Sequence, residues 1–232
     1  MNIIITGASS GMGRECALAL AADKGNKVFA LARREGHLNK LSKEAVSGKI
    51  IPVPFDLGAD DFGELDRILR DEGVEHIDIL IHNAGLLING EFASLTRSDW
   101  EQVYGVNVIG VAMLTRHLLS LMGGERHTHI VMIGSIGGVK GSQKFSGLSA
   151  YSSSKGGLVV LTECLAEEFS GRGISVNCLA MGAVQTEMLE KAFPGYVAKV
   201  SSLEAGRYIS DFSVSGWRHF NGKILEVSTT NP

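Results

Sequence analysis

Seven short apolar runs, separated by segments long enough for helices, constrain the fold of this chain more than any other feature. They span Ile3 to Thr6, Lys27 to Ala32, Ile50 to Phe55, Ile77 to His82, His129 to Ile133, Ile174 to Ala180 and Ile224 to Val227. Several are continuously apolar, as expected for parallel strands covered by helices on both faces. The pattern predicts a doubly wound, Rossmann-type α/β fold with about seven parallel strands.

Two prolines indicate where the third run lies. Pro52 and Pro54 remove backbone donors at alternate positions, which a central strand does not tolerate, so we place this strand at the sheet edge. Helical patterns cover 13 to 23, 98 to 121 and 151 to 169. With 232 residues and no linker or repeat, one domain over 1–232 is expected.

Composition and charge narrow the classes of function. A formal net charge of -3 without long single-sign blocks argues against a nucleic-acid surface and favours a small-molecule partner. Three cysteines without CxxC spacing fit a reducing cytoplasm. We expect no membrane partner, because the first strand leaves no room for a signal peptide and no apolar run approaches about 18 residues. His127 and His129 lack a third ligand nearby in sequence, so no metal is expected.

A glycine-rich turn lies between the first strand and the first helix. Gly7, Gly11 and Gly13 are spaced as GxxxGxG, and small residues there let the backbone approach a pyrophosphate at a helix N-terminus. The turn predicts dinucleotide binding, although a glycine triplet alone is also compatible with an ordinary turn.

The end of the second strand indicates which dinucleotide is preferred. An acidic residue at this place accepts the ribose 2'-hydroxyl of NAD, but here Ala32 is followed by Arg33 and Arg34. A guanidinium pairs with a 2'-phosphate, so we predict NADP(H) over NAD(H), with Arg33 as the contact. The alternative is that both arginines belong to a solvated loop. Asp56 either accepts from the adenine amino group or caps the following loop.

Tyr151 and Lys155 lie one helical turn apart and therefore share a helix face. A free phenol has a pKa of about 10, and a neighbouring ammonium is expected to lower it toward a useful range. The pair predicts a proton-transfer site.

Taken in order, these motifs resemble the short-chain dehydrogenase/reductase family in its compact subgroup. The resemblance runs through Thr6 to Gly13, Asp56, His82 to Gly85, Asn107, Ser135, Tyr151 with Lys155, and Gly182 to Thr186. It implies a nicotinamide cofactor, NADP with NAD as the alternative, and interconversion of a carbonyl and a secondary alcohol. It also implies a homodimer or homotetramer.

The resemblance assigns roles to individual residues. Tyr151 would be the general acid and base, and Lys155 would lower the Tyr151 pKa and hold the nicotinamide ribose. Ser135 would orient the substrate oxygen, and Asn107 would bend its helix to seat a water linked to Lys155. The implied cofactor-binding residues are Gly7, Ser9, Ser10, Gly11, Met12, Gly13, Arg33, Asp56, Leu57, Asn83, Ala84, Gly85, Tyr151, Lys155, Gly182, Val184 and Thr186.

Departures from the family pattern leave the substrate open. His82 stands where another asparagine is usual, and Met181 replaces a proline and either faces substrate or fills apolar space. A longer loop falls at Lys140 to Leu148, and only about 15 residues, Glu187 to Ser201, form the lid. The candidate pocket walls in that lid are Leu189, Phe193 and Tyr196. At the end of the chain, Ser228, Thr229 and Thr230 replace a usual glycine pair.

Two other functions stay open on the sequence. One is a cofactor-binding regulatory protein of the same fold that performs no turnover, which the complete set of Asn107, Ser135, Tyr151 and Lys155 argues against. The other is an NAD-preferring dehydrogenase.

Overall fold

The computed structural model of the protein describes residues 1–59 and 61–228, so Thr229 and Thr230 lie outside the described residues. Its strands are β1 (Asn2–Thr6), β2 (Lys27–Ala32), β3 (Lys49–Pro54), β4 (Ile79–His82), β5 (Thr128–Ser135), β6 (Ile174–Met181), β7 (Val184–Gln185), β8 (Val200–Ser201) and β9 (Ile224–Val227). Its α-helices are α1 (Gly11–Leu20), α2 (Glu35–Glu44), α3 (Gly63–Asp71), α4 (Arg97–Tyr104), α5 (Gly110–Leu118), α6 (Ser149–Glu168), α7 (Glu187–Ala192) and α8 (Ser202–Ser215).

A seven-stranded parallel sheet has the order β3-β2-β1-β4-β5-β6-β9. The order reverses between β1 and β4, and ligands of such sheets bind outside the carboxyl ends of the strands at this switch point. The short strands β7 and β8 pair separately. The predicted doubly wound parallel fold is confirmed.

Two apolar layers cover the sheet, one on each face. Along β1, Ile4 joins the layer that contains Leu114 of α5, while Ile3 and Ile5 join the layer that contains Ala17 of α1. Successive side chains of a strand point to opposite faces, and both faces here are buried. This burial explains why the strands are continuously apolar instead of alternating.

The proline-containing strand β3 lies at the sheet edge, as predicted, and pairs with β2. The Phe55 amide, just beyond the strand, donates to the Ala32 carbonyl at 3.0 Å. Residues in phase with Phe55 therefore bond to β2, whereas Pro52 and Pro54 fall at the alternate positions, where β2 requires no donor. The edge position accommodates both prolines without loss of a ladder hydrogen bond.

The helical segment Arg97–Leu121 joins α4 and α5 through a π-helical turn at Gly105–Ile109. An 18-residue stretch of this segment has a mean hydropathy of 1.2, which by length and composition is enough to cross a membrane and which the apolar runs of the sequence did not indicate. Core helices of water-soluble proteins pass the same test. Here Val111, Leu114 and Leu118 are buried in an apolar layer of the sheet.

A buried histidine joins β5, β6 and α8. The His129 Nδ1 atom lies 2.9 Å from the Ser213 carbonyl, and Nε2 lies 3.1 Å from the Asn177 Nδ2 atom. The carbonyl can only accept, so Nδ1 carries the proton and Nε2 accepts from the amide. Burial lowers the pKa of His129 to about 4, partly opposed by its bond to Ser213. The imidazole is therefore neutral in the fold.

We expect the protein to lose stability as the pH falls below about 6.5, the pKa of a histidine in an unfolded chain. The unfolded chain then binds a proton that folded His129 does not, at a cost of about 2 kcal/mol between pH 7 and pH 5. Urea unfolding at these two pH values measures the loss. His129→Gln keeps a donor and an acceptor without titrating, so its loss should be smaller, while His37→Gln on the exposed surface of α2 should match the wild type. Equal losses in all three proteins would contradict this assignment.

Candidate active site

A cleft of about 620 Å³ opens at the carboxyl ends of β1, β2, β3 and β4 and is bordered by α7. Most of the predicted cofactor-binding residues line it, namely Gly7, Ser9, Ser10, Gly11, Met12, Arg33, Asp56, Leu57, Asn83, Ala84, Gly85 and Thr186. Five predicted residues are not among its lining residues, namely Gly13, Tyr151, Lys155, Gly182 and Val184. The cleft lies at the topological switch point, where this fold class binds ligands.

The glycine turn packs closely on the end of β4. A Cβ atom on Gly7 would lie 2.8 Å from the Ala84 Cα atom, and one on Gly13 would lie 2.2 Å from the Asn83 Nδ2 atom. That Nδ2 atom donates to the carbonyls of Thr6, at 3.0 Å, and Gly7, at 3.2 Å. Gly13 therefore contributes to the cleft indirectly, through its close contact with Asn83.

The first turn of α1 is suited to an anion. The helix begins at Gly11, and its N-cap, Ser10, makes no side-chain capping bond. Gly7 and Gly11 have φ values of 68° and 56°, the left-handed region that glycine adopts without strain. Unpaired N–H groups and the helix dipole at this end favour a phosphate group.

The guanidinium that contacts the glycine turn belongs to Arg34. It donates to the Ser9 and Ser10 hydroxyls at 3.2 and 2.6 Å and lies 3.6 Å from a Glu187 carboxylate oxygen of α7. Arg33 is exposed and lines the same cleft. The prediction named Arg33 as the cofactor contact, whereas its neighbour Arg34 makes the contacts with the glycine turn.

Asp56 caps the loop after β3, one of its two predicted roles. Its carboxylate accepts from the Gly58 amide at 3.0 Å, and the residue also lines the cleft. Carboxylates commonly stabilise turns in this way. The neighbouring Leu57 is buried beside Gly110 of α5, where an added Cβ would lie 2.1 Å from the Leu57 carbonyl oxygen.

Tyr151 and Lys155 share one face of α6, with the lysine Nζ atom 5.9 Å from the centre of the phenol ring. Lys155 is buried and donates to the Ile133 carbonyl at 2.8 Å. Burial lowers its pKa to about 8. Burial also raises the pKa of Tyr151, against a hydrogen bond with Ser135 that lowers it. The expected lowering by Lys155 is therefore corrected, because removal of the phenol from water outweighs the favourable interactions.

Close packing of β5 on α6 brings Ser135 to Tyr151. After Ser135 the chain turns through Ile136–Gly138, and a Cβ on Gly138 would lie 2.6 Å from the Lys155 carbonyl carbon. The Ser135 hydroxyl also accepts from the Gly137 amide at 3.2 Å, which orients it. Glycine at position 138 thus permits the turn after Ser135 to pack closely on α6, the helix that carries Tyr151.

Asn107 lies fully buried in the π-helical turn. Its Oδ1 atom accepts from the Leu86 amide at 2.8 Å, and Nδ2 donates to the Leu86 carbonyl and the Ser154 hydroxyl, both at 2.9 Å. The side chain therefore holds the segment after β4 against α6. Single π-helical turns inside α-helices are frequent at functional sites.

Three loops contact one another beside the cleft. Asn89 donates to the Ala192 carbonyl at 2.8 Å, the Gly90 amide donates to the Gly147 carbonyl at 3.0 Å, and Phe145 contacts Phe193 with ring centres 6.0 Å apart. These contacts join the loop after β4, the longer loop before α6 and the short lid. The longer loop and the lid were predicted from the sequence. The cleft-lining residues that were not singled out are Leu86, Leu87, Asn89, Val106, Met188 and Lys191.

The predicted residues after β6 lie in different surroundings. Thr186 caps α7 by accepting from the Leu189 amide at 3.1 Å. Val184 is buried and pairs with Val200, and Tyr196 is half exposed. Gly182 packs on Ser228, whose hydroxyl would lie 2.6 Å from an added Cβ.

Two alternatives from the sequence are resolved by packing. Met181 is buried in the apolar layer beside Leu179 and Val184, so it fills apolar space. His127 stacks on Trp217 with ring centres 4.2 Å apart, while His129 belongs to the core network. Within residues 1–59 and 61–228, no three His, Cys, Asp or Glu side chains are grouped to hold a metal ion.

Comparison with known proteins finds relatives over most of the chain. The family model described as short chain dehydrogenase matches residues 1–196. The 3-oxoacyl-[acyl-carrier-protein] reductase FabG of Thermotoga maritima is 33% identical over 192 residues, which are 81% of this chain and 76% of that protein.

Solved structures agree with this similarity. A short chain dehydrogenase from Shigella flexneri, complexed with NADP, has a TM-score of 0.83 at 26% identity and covers 97% of this chain and 95% of its own. The 3-ketoacyl-(acyl-carrier-protein) reductase from Brucella melitensis, complexed with NADH, is similar in fold, with a TM-score of 0.86 at 23% identity. That comparison covers 97% of this chain and 96% of the other.

The packing of Gly13 on Asn83 predicts a large effect from one added methyl group. Gly13→Ala places its Cβ within 2.2 Å of the Asn83 amide nitrogen, so the bonds of Asn83 to the glycine turn must break. Overpacking of this kind costs about 1–3 kcal/mol of unfolding free energy. Gly36→Ala in α2 has no atom within 4 Å of the new methyl and should leave stability unchanged or raised. Urea unfolding of both variants tests the contact, which equal stability of Gly13→Ala and wild type would refute.

Proposed function

This chain belongs to the short-chain dehydrogenase/reductase family of NAD(P)-dependent oxidoreductases, and we propose that it interconverts a carbonyl and a secondary alcohol with NADP(H) preferred. One observation carries the proposal. The Tyr151 phenol interacts with the Ser135 hydroxyl and lies beside the buried ammonium of Lys155. A proton donor, a hydrogen-bonding partner and a cation thus meet at the carboxyl end of the parallel sheet.

The cleft fits a dinucleotide. Close contacts at Gly7 and Gly13 leave no room for side chains, and the open N-terminus of α1 offers N–H groups to a pyrophosphate. In the proposal Ser9, Gly11 and Met12 border the phosphates, and Asn83 to Gly85 border the ribose. When bound, the nicotinamide supplies or accepts a hydride.

The environment of Tyr151 suits a general acid. An ordinary phenol is already protonated at neutral pH, and burial raises the pKa of Tyr151 further, so its proton is available to a carbonyl oxygen. Ser135 holds that oxygen by a hydrogen bond as its negative charge develops. The reverse transfer serves alcohol oxidation.

Lys155 compensates for the charge that Tyr151 acquires. Its ammonium stabilises the phenolate left by proton transfer, an interaction that is stronger in a site from which water is excluded. The bond to the Ile133 carbonyl fixes the ammonium, and its remaining N–H groups are available for the nicotinamide ribose. Asn107 holds the segment after β4 that borders this ammonium.

Preference for NADP(H) rests on the charges at the end of β2. Arg33 and Arg34 border the cleft, and Ala32 stands where an acidic residue would accept a ribose 2'-hydroxyl. In the proposal Arg34 is the principal partner of the 2'-phosphate, since its guanidinium already lies over Ser9 and Ser10. Arg33 adds a second positive charge.

A 3-oxoacyl thioester is the substrate class that we favour. The name of the Thermotoga maritima relative specifies this chemistry, and the short lid leaves a side of the cleft open to a long or carrier-attached substrate. A screen of NADPH oxidation over 3-oxoacyl thioesters, ketones, aldehydes and quinones is the direct comparison. Tight NADPH binding with no carbonyl reduced would favour the regulatory alternative.

We further propose a single-domain cytoplasmic enzyme that forms a homodimer or homotetramer. Exposed Ile109 and Val160 lie on the helical layer of α5 and α6, where a second copy would cover them. The segment Arg97–Leu121 contributes Asn107 to the site and packs on the sheet, which supports a place in the fold instead of a membrane.

Tyr151→Phe tests the acid. The variant removes the proton but keeps the ring, so kcat on the best substrate of the screen should fall at least about a hundredfold, the usual contribution of a general acid. The KM for NADPH should change little. Tyr208→Phe, an exposed position on α8, is the matched control and should retain wild-type turnover. Wild-type turnover by Tyr151→Phe would refute the mechanism.

Charge reversal at the two arginines tests the cofactor preference. Arg34→Asp should lower kcat/KM for NADPH by about 10- to 100-fold, since hydrogen bonds to charged groups contribute about 1.5–3 kcal/mol, while NADH use should persist. Arg33→Asp should shift the NADPH to NADH ratio in the same direction by a smaller factor. Arg70→Asp on exposed α3 controls for the change in net charge. Unchanged cofactor ratios would reject the ribose argument.

A further inference from the structure

His82, at the carboxyl end of β4, has one ring nitrogen with a defined role. The residue is 1% exposed, and its Nε2 atom lies 2.8 Å from the Thr115 hydroxyl. That hydroxyl donates its own proton to the Val111 carbonyl at 2.8 Å. It must therefore accept from His82, which places the imidazole proton on Nε2.

The other ring nitrogen of His82 is buried without a partner. Within the part of the chain that the structure describes, Nδ1 has no hydrogen-bond donor. Burial and the positive charge of Lys155 lower the pKa of His82 to about 3, so the ring is neutral and Nδ1 carries a free lone pair. A buried acceptor without a donor is unfavourable, and such atoms commonly bind an internal water.

Lys155 has the donors that this arrangement lacks. Its ammonium carries three N–H groups, of which one goes to the Ile133 carbonyl. Its Nζ atom would lie 3.5 Å from a Cβ on Gly85, three residues after His82, and its charge acts on the His82 ring. The lysine head group therefore borders the same short segment as the histidine.

The side chain of Asn107 is already committed elsewhere. Both of its Nδ2 protons and one lone pair of Oδ1 bond to Leu86 and Ser154. Little capacity remains there to hold a water beside Lys155. The unpartnered Nδ1 atom of His82 is a further acceptor near the same ammonium.

We propose that His82 is a positioning residue, whose Nδ1 atom accepts a hydrogen bond from a buried water that the Lys155 ammonium also binds. The three ammonium protons then go to the Ile133 carbonyl, the nicotinamide ribose and this water. Thr115 acts one step further away, because it keeps the proton on Nε2 and leaves Nδ1 free to accept. The inference rests on the proposed roles of Tyr151 and Lys155.

An acceptor near an ammonium favours its charged form, so loss of this water should lower the pKa of Lys155 further. The groups that face the ammonium are Tyr151 on its own helix, Cys178 on β6 and His82 on β4. The cation supports proton donation by Tyr151, and carbonyl reduction is lost as the pH rises through the Lys155 pKa. The position of the alkaline limb in the pH–rate profile therefore shows whether this water binds Lys155.

His82→Leu removes the acceptor and His82→Gln retains one. For His82→Leu we expect the alkaline limb of kcat for carbonyl reduction to move about one unit lower, which is about a tenfold loss of kcat on that limb, with KM for NADPH within about twofold of wild type. His82→Gln should keep the alkaline limb at its wild-type pH. A folded His82→Leu protein with the wild-type limb would overturn the inference.

Thr115 provides a second test should His82→Leu fail to fold. Thr115→Val releases the imidazole proton to move to Nδ1 and should shift the limb, whereas Thr115→Ser keeps the acceptor and should not. Equal limbs in both variants would overturn the inference. A high-resolution crystal structure should also place a water within hydrogen-bond distance of Nδ1 and Nζ, and an Nδ1 atom packed only against carbon would overturn it.

Tyr151→Phe in the same assay distinguishes a failure of the proposed function from a failure of the role of His82. Wild-type turnover by Tyr151→Phe would remove the proposed function itself. An inactive Tyr151→Phe protein together with a wild-type limb in His82→Leu would leave the function intact and remove only the role of His82.

Discussion

The contact between the glycine turn and the end of β4 is the constraint on which the site depends. Asn83 bonds to two carbonyls of the turn, and the Thr6 hydroxyl accepts from the Ala84 amide at 3.0 Å. These bonds join the two halves of the sheet at the place where the strand order reverses. They also fix the N-terminus of α1 relative to the segment that reaches Lys155. The cleft and the Tyr151–Lys155 pair are thereby joined through one set of contacts.

Removal from water gives the groups on α6 their chemical character. Burial raises the pKa of Tyr151 and lowers that of Lys155 to about 8, far nearer to neutrality than that of a surface lysine. In such surroundings each hydrogen bond has a larger effect on protonation than it would in water. The charge of Lys155 is therefore sensitive to its buried neighbours at pH values near 8.

The strands were largely predictable, because burial on both faces of the sheet requires continuous apolar residues. The two prolines of β3 further restrict that strand to an edge. The glycine turn and the Tyr151–Lys155 pair were equally predictable from the sequence, since each needs particular residue types at short separations. Other features depend on distant contacts. Arg34 and not Arg33 reaches the turn because of how the chain enters α2, and spacing alone cannot report the desolvation of Tyr151. Likewise, Asn89 and Ala192 meet across 103 positions of sequence, which no local pattern encodes.

The edge strand β3 has a consequence for how molecules of this protein meet one another. An open strand usually presents alternating donors and acceptors that can template a strand from another chain, and so begin aggregation. At two successive outward positions β3 carries Pro52 and Pro54, which keep their carbonyls but have no N–H to offer. A foreign strand would find only half of its partners there. This side of the sheet is thus protected against runaway edge-to-edge growth.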